Sequence, residues 1–249
     1  MKRILPFFAF LLLAAGVLAE DTRCYELRIY TAAEGKLEAL NARFRDHTCK
    51  LFEKHGLTNV GYWVPVDQSD NRLIYVISSP SREAHKKSWQ AFLNNPDWKK
   101  AYKASTQDGA LVAKVDSIFM SATDYSPFVK PVITKKIRTF ELRTYTTAPE
   151  RLKNLHARFR DHTCKIFENH DMTNVAYWTP MDANQGKSNT LIYIISHFGN
   201  TDQAKKNWSG FGGDPAWKKA RAASEADGKI LSRRPERIYL NATDFSPIK

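Results

Sequence analysis

The residues best suited to chemistry lie on two short segments that repeat one another. The segment CYELRIY at 24–30 alternates between apolar and polar side chains, as a strand with one face of each kind does, and TFELRTY at 139–145 alternates in the same way. The polar faces carry six residues: Glu26, Arg28 and Tyr30, and their copies Glu141, Arg143 and Tyr145. An arginine can hold an anionic or enolate oxygen with two hydrogen bonds, a carboxylate can transfer a proton, and a phenol can donate to an oxygen.

Aromatic residues on neighbouring β-rich segments could form the walls of such a site. They are Trp63, Tyr75, Trp178 and Tyr193, which complete a set of ten candidate ligand-binding residues. A structural alternative stays open, in which Glu26 and Arg28 neutralise each other, or their copies, and hold the two halves in register. The sequence assigns no catalytic residue.

These residues occur twice because the chain is a tandem duplication. Residues 40–67 recur at 155–182, with 20 of 28 positions identical at a constant offset of 115. Three further pairs of segments extend the match: 24–31 with 139–146, 73–78 with 191–196, and 121–127 with 241–247.

Each half reads as the same series of elements. A strand is followed by a helix, two β-rich runs, a second helical region and a final strand, which is the βαββαβ or ferredoxin-like plan. In the first half we expect the second helical region to break and restart with Asn95 as N-cap and Pro96 in the first turn. One such sheet has helices on one face only, so the second copy is predicted to cover the other face and form an α+β barrel within one chain. We expect the polar faces of the first strands to point into the cavity shared by the two halves.

The most strongly repeated stretch, RFRDHTCK at 43–50 and 158–165, is predicted to be structural. Phe44 and Phe159 fall on the apolar stripe of a helix and are expected in the core. The charged residues of the stretch are expected to make surface or helix-end contacts: Arg43, Asp46, Arg158 and Asp161.

The first 19 residues predict a secretory signal peptide. Lys2 and Arg3 precede an apolar run that ends at Val17-Leu18-Ala19, a small-residue cleavage signature. The run is shorter than a membrane span, so no stable span is expected after cleavage. The domain division that follows is 1–19 signal peptide, 20–130 first repeat and 131–249 second repeat, with a periplasmic or secreted location.

Charge and cysteine content limit the classes of partner. The chain carries 38 Lys and Arg against 26 Asp and Glu. The cations recur at matching points of both halves, on the side of a predicted helix opposite Trp or Phe, which is typical of the solvent-exposed face of an amphipathic helix. We therefore expect no nucleic-acid partner, while a homo-oligomer stays possible.

The three cysteines are expected to be free thiols packed as small apolar groups.

Metal and cofactor chemistry find no support in the motifs. Asp46, His47 and Cys49 cannot converge on one ion, because residues one and two apart on a helix point in different directions. The sequence lacks Cys-x-x-Cys, His-Glu-x-x-His, a phosphate loop and Gly-x-Ser-x-Gly. We expect no metal and no cofactor.

The combination of motifs resembles one family. YELRIYT and FELRTYT, RFRDHTCKxFExH, the NVGYW and NVAYW strands, PDWKKA and PAWKKA, and ATDYSP and ATDFSP together resemble the NIPSNAP family of the dimeric α/β-barrel superfamily, across most of the sequence after residue 19. The resemblance implies that fold and a small-ligand cavity, without a settled reaction. The family glycines match Gly35 and Gly56, whereas Glu150 and Asp171 stand at the corresponding turns of the second half.

Two functions remain. The first is an exported protein that binds a small, partly apolar molecule, either neutral or anionic, in the cavity between its repeats. The alternative is a cofactor-free monooxygenase or isomerase that acts on a small organic substrate in the same cavity, which the superfamily permits by analogy.

Overall fold

The structure is a computed structural model that describes residues 21–249. The predicted signal peptide lies outside the described residues. Each half has the predicted series of elements. The first repeat consists of β1 (Cys24–Ala32), α1 (Leu37–Arg43), a π-helical turn (Phe44–Thr48), α2 (Cys49–Lys54), β2 (Thr58–Pro65), β3 (Arg72–Ser79), α3 (Arg82–Asn94), α4 (Pro96–Ser105) and β4 (Val112–Ala122).

The second repeat follows the same order with one added short helix. It consists of β5 (Arg138–Thr146), α5 (Leu152–Arg158), a π-helical turn (Phe159–Thr163), α6 (Cys164–Asn169), β6 (Met172–Pro180), a 3₁₀ turn (Ala183–Gln185), β7 (Thr190–Phe198), α7 (Thr201–Gly213), α8 (Pro215–Ser224) and β8 (Glu236–Ala242).

Capping side chains fix the helices that matter for the site. The Ser81 hydroxyl accepts a hydrogen bond from the backbone N–H of Ala84 and starts α3. Asn95 accepts from two backbone N–H groups of the next turn and, with Pro96 behind it, starts α4 where the sequence predicted. Asp214 does the same for α8.

The eight strands close into one antiparallel barrel in the order β1-β3-β2-β8-β5-β7-β6-β4, with β4 also paired to β1. Two short seams join the repeats. β2 pairs with β8 from Trp63 opposite Ala242, and β4 pairs with β6 from Met120 opposite Pro180. The predicted fold class, two tandem ferredoxin-like repeats forming a barrel within one chain, is confirmed.

The interior of the barrel is apolar. Tyr25 packs on Trp178, and the pseudo-symmetric Phe140 packs on Trp63, with ring centroids 5.5 and 5.7 Å apart. Leu27, on the same face of β1 as Tyr25, belongs to this interior cluster. At one mouth a cavity of about 340 Å³ remains between the repeats, with apolar residues such as Leu27 and Leu142 and polar ones such as Arg72 and Arg237 in its wall.

The prediction that the polar strand faces line this shared cavity is wrong. The six residues of those faces, Glu26, Arg28, Tyr30, Glu141, Arg143 and Tyr145, lie on the opposite side of the sheet, beneath the helices. Tyr75 and Tyr193 lie there too, in the helix-side cores, and only Trp63 and Trp178 lie inside the barrel. Both faces of β1 are buried, Glu26 to 1% exposure and Leu27 to 2%, so alternation alone could not tell which face points inward.

The repeated motifs join the halves. Arg45 forms a bidentate ion pair with Asp244, 2.6 and 2.9 Å, and its copy Arg160 forms one with Asp124, 2.6 and 2.7 Å. The ATDFSP segment of the second repeat also docks on the first, because the Ser246 hydroxyl accepts from the backbone N–H of Tyr62 at 3.0 Å. These motifs therefore form contacts between the two repeats.

The RFRDHTCK stretch contains a feature that the sequence did not predict. In both repeats its helix is widened by one π-helical turn, and the Thr48 hydroxyl donates to the carbonyl of Arg43 at 3.1 Å. Phe44 and Phe159 are buried, as predicted. Arg43 and Arg158 are buried beneath aromatic rings and not at the surface, but they make the helix-end contacts that were also expected, to Ser105 and Ser224. Asp46 and Asp161 are exposed, as predicted.

Two turns keep a left-handed backbone in both repeats, although only the first repeat has glycine there. The φ angles of Gly35 and Gly56 are 68° and 80°, and those of Glu150 and Asp171 are 62° and 57°. The second repeat therefore adopts a conformation that is uncommon for residues with a Cβ atom.

Candidate functional site

The main pocket near the candidate residues lies between β1, β4 and α3 of the first repeat, on the helix side of the sheet. We call it the α3 pocket; its volume is about 700 Å³. It is lined by Glu26, Arg28, Arg82, Glu83, His85, Lys86, Trp89, Gln90, Ser117 and Phe119.

Glu26 is the buried polar centre of this pocket. Its Oε1 atom accepts hydrogen bonds from the Arg28 guanidinium and the Ser117 hydroxyl. His85 Nε2 lies 3.0 Å from Oε2, within ion-pair distance, but off the line of a well-formed hydrogen bond. Burial alone would raise the pKa of Glu26, yet His85, Arg28 and Ser117 together hold that pKa below its ordinary value. Glu26 is therefore a buried carboxylate with one poorly satisfied oxygen.

Arg28 links Glu26 to the aromatic wall. Its guanidinium carbon lies 4.4 Å from the centre of the Trp89 ring, and Nη2 donates to the Tyr30 hydroxyl at 3.1 Å. Burial alone would lower the pKa of Arg28, but Tyr75, Tyr30 and Glu26 hold it above its ordinary value. Arg28 is thus a fixed cation whose charge is already matched by Glu26.

The rim of the α3 pocket uses a residue of the second repeat. Arg82, at the start of α3, forms a bidentate ion pair with Asp182 at 2.6 and 2.7 Å, and its guanidinium carbon lies 4.4 Å from the centre of the Phe119 ring. Phe119 in turn meets the His85 ring edge-on at 5.0 Å. The second repeat therefore contacts the rim of this pocket through Asp182.

The corresponding place in the second repeat is closed. Arg143 donates to Glu141 at 2.6 Å, as Arg28 does to Glu26, but the Trp208 indole N–H also donates to Glu141 Oε2 at 2.6 Å. Arg143 is only 7% exposed. The two copies have diverged into an open site and a satisfied buried cluster.

The imidazole beside each carboxylate comes from a different element in each repeat. His85 on α3 hydrogen-bonds to Ser79 of β3 at 3.2 Å in the first repeat. In the second, Ala204 stands where α3 has its histidine, and His197 of β7, at the position of Ser79, lies 3.3 Å from Glu141 Oε2. Each buried glutamate therefore has an imidazole beside it, which comes from a helix in the first repeat and from a strand in the second.

The sequence found the polar strand residues of this site but missed its helix. His85, Lys86, Trp89, Ser117 and Phe119 were not among the candidates. Part of the signal was available, because His85 and Trp89 are four residues apart and so share one helix face. The position of Phe119 opposite Glu26 follows only from the strand register of the structure. Nothing in the sequence indicates that this face of α3 packs against β1.

The described residues offer little for metal or thiol chemistry. Among residues 21–249 no group of three or more His, Cys, Asp or Glu side chains could hold a metal ion. Cys24, Cys49 and Cys164 are free, as expected, and burial raises their thiol pKa values to about 11, 12 and 11.

No helix among residues 21–249 has the length and apolar character that crossing a bilayer demands.

The buried carboxylates predict an acid-sensitive fold. The pKa of Glu141 is held below the ordinary 4.5: burial opposes this, but His197, Arg143 and Trp208 outweigh it. Its contribution to stability is therefore fully present above pH 4.5 and is lost as the pH falls through the lower folded value. In Glu141→Gln, urea unfolding at a series of pH values should show a weaker loss of stability below pH 4.5 than in the wild type. An unchanged pH dependence would contradict this role for Glu141.

Comparison with known proteins agrees with the fold. The NIPSNAP family model matches residues 25–127 and again 140–247. No match was found among curated proteins. Among solved structures, a candidate monooxygenase from Lactobacillus acidophilus NCFM is 12% identical with a TM-score of 0.56, covering 89% of this chain and 94% of that one.

Two further solved structures are similar to parts or most of the chain. An anthrone oxidase-like protein is 12% identical with a TM-score of 0.56, covering 90% of this chain and 92% of that one. A NIPSNAP family protein from Agrobacterium tumefaciens is 19% identical with a TM-score of 0.39, covering 43% of this chain and 94% of that one. The two structures with a TM-score of 0.56 support the fold alone at identities this low. With the family model matched over both repeats, the chain belongs to the NIPSNAP family.

Proposed function

We propose that this protein binds one small, partly apolar molecule with an ionisable hydroxyl group in the α3 pocket. The observation that carries the proposal is the contrast between the two buried glutamates. Glu141 Oε2 accepts from the Trp208 indole, whereas the buried Glu26 Oε2 has only the poorly aligned His85 Nε2 beside it at 3.0 Å, and Glu26 itself lines the α3 pocket. A bound hydroxyl would supply the missing donor, since a buried acceptor left unsatisfied costs free energy.

The residues around Glu26 favour a ligand whose hydroxyl group is acidic. Arg28 and the rim residue Lys86 place positive charge beside Glu26, and Lys86 forms no ion pair with any residue in 21–249. A phenol or enol could therefore donate to Glu26 as the neutral form and be held by the unpaired Lys86 as the anion. The Trp89, His85 and Phe119 rings offer flat apolar surfaces for the rest of the molecule.

A cofactor-free oxygenase is the second candidate, and the pairing of His85 with Glu26 at the pocket favours it. With dioxygen as oxidant, a methylene group of the substrate would become a carbonyl and one water would form. The solved monooxygenase-like and anthrone oxidase-like proteins have a similar fold, which is analogy only. Against this candidate, the lowered pKa of Glu26 makes it a weak base at neutral pH. We therefore prefer binding to catalysis.

We also propose that the chain is exported and works outside the cytoplasm. The support is the sequence of residues 1–19, with two cations, an apolar run and a small-residue cleavage signature. The raised thiol pKa values of Cys24, Cys49 and Cys164 are compatible with an oxidising location, because unreactive thiols resist disulfide exchange.

Native mass spectrometry of the protein from its own host's periplasm tests these proposals together. We expect one small molecule retained per chain and an intact mass that lacks residues 1–19. Phe119→Ala removes an aromatic wall of the α3 pocket and should abolish retention. Its matched control, Tyr239→Ala, changes the corresponding strand position opposite Glu141 and should retain the molecule.

The outcomes separate the candidates. A ligand whose mass is unchanged after incubation in air supports a binding protein, and one that is converted supports the oxygenase. Equal retention by the Phe119→Ala and Tyr239→Ala variants, or an empty wild-type protein, would contradict a ligand site beneath α3.

A further inference from the structure

A buried arginine without a carboxylate partner lies near the other end of the same repeat. Arg43 ends α1 and is 5% exposed, and Nη1 donates to the Ser105 hydroxyl at 3.2 Å. Its Nε atom is buried without a hydrogen-bond acceptor. Within residues 21–249 no Asp or Glu side chain forms an ion pair with it, and burial lowers its pKa. A buried guanidinium in this condition is costly unless something pairs with it.

The second repeat shows how the same position is neutralised. Arg158, the copy of Arg43, is 4% exposed and pairs with Glu225 at 3.3 Å while donating to Ser224 at 3.2 Å. Glu225 follows α8 directly. The residue that follows α4 in the first repeat is Thr106, whose hydroxyl donates instead to the carbonyl of Tyr102 at 2.8 Å. The first repeat therefore has the buried cation without the negative charge that accompanies it in the second.

A second pocket, which shares the Trp89 ring with the α3 pocket, opens over this cation. We call it the Arg43 pocket; it has a volume of about 210 Å³. Its lining is mostly aromatic: Tyr30, Phe44, Phe52, Trp89, Phe92, Trp98 and Tyr102. The Arg43 guanidinium carbon lies 5.4 Å from the centre of the Trp98 ring and 5.3 Å from that of Tyr102. The pocket is smaller than those that take drug-sized ligands.

We propose that the Arg43 pocket binds a small aromatic or apolar carboxylate, whose oxygens occupy the place that Glu225 takes beside Arg158. The planar guanidinium matches the geometry of a carboxylate, and the Nη1 donor that Arg158 gives to Glu225 has only the Ser105 hydroxyl as its partner in Arg43. The surrounding rings select an apolar body. Because the α3 pocket has its own cation and carboxylate, this site does not depend on the function proposed above.

A reciprocal exchange between the repeats tests this site, with sodium benzoate as the probe and neutral benzamide as its isosteric control. Binding is followed at the Arg43 Nε–H signal in ¹⁵N NMR, which reports this pocket and no other. We expect benzoate to bind roughly tenfold or more tightly than benzamide, since one charge-assisted contact is worth that factor.

Thr106→Glu supplies the carboxylate of the second repeat and should abolish the preference for benzoate. Glu225→Thr removes it and should create a new benzoate response at the Arg158 Nε–H signal. Both variants keep the buried arginine, so neither result depends on losing it. Equal binding of benzoate and benzamide by the wild type, or unchanged benzoate binding in Thr106→Glu, would overturn the proposal and leave Arg43 as a structural residue held by Trp98 and Tyr102.

Discussion

Residues 20–130, expressed without the second repeat, are expected to self-associate instead of giving a folded monomer. In the intact chain β2 pairs with β8 and β4 pairs with β6, so the half-chain would have two open sheet edges. It would also expose the apolar face that carries Tyr25, Leu27 and Trp63, which is buried inside the barrel.

Sedimentation velocity measures this directly. We expect a dimer or larger species at micromolar concentration, with residues 131–249 behaving in the same way. Adding the two halves together should restore a one-to-one complex, because the seams and the Arg45–Asp244 and Arg160–Asp124 pairs are complementary. A well-folded monomeric half with native secondary structure would contradict the mutual dependence of the repeats.

Phe44→Ala should lower the free energy of unfolding by about 3 to 5 kcal/mol. The ring is fully buried and lies 5.0 Å from Tyr75, 5.7 Å from Tyr62 and 6.0 Å from Tyr30, measured between ring centroids. Its removal leaves a cavity that stiff aromatic neighbours cannot fill. Urea unfolding measures the loss, and Phe159→Ala should give a similar value because its surroundings repeat these contacts.

Arg45→Ala is the matched control within the same repeated stretch. Its ion pair with Asp244 is at the surface, and exposed pairs contribute about 0 to 1 kcal/mol. A Phe44→Ala protein with wild-type stability but no retained ligand would instead assign this stretch to the binding site.

The sequence by itself determined the elements and their duplication. The alternation of β1, the capping by Asn95 and Pro96, and the burial of Phe44 follow from local periodicity and from backbone hydrogen-bonding needs that act over a few residues. The repeat then gave the barrel, since two sheets with one uncovered face each can hide both only by meeting. The sequence also offered the pairing of Glu26 with Arg28 as one of two alternatives. This contact is local, because the two residues are two positions apart on one strand.

Only the tertiary structure decided which strand face points inward and what covers the other. Glu26 and Leu27 are equally buried, so their difference in polarity did not identify the interior. Closing the barrel brings eight inner strand faces together, and that space is filled by apolar rings such as Trp63 and Trp178, whereas the helix side provides His85 as a partner for a buried charge. The open site, its closed copy and the unpaired Arg43 depend on contacts between residues distant in the sequence, namely α3 on β1 and α4 on α1, and no local pattern encodes those contacts.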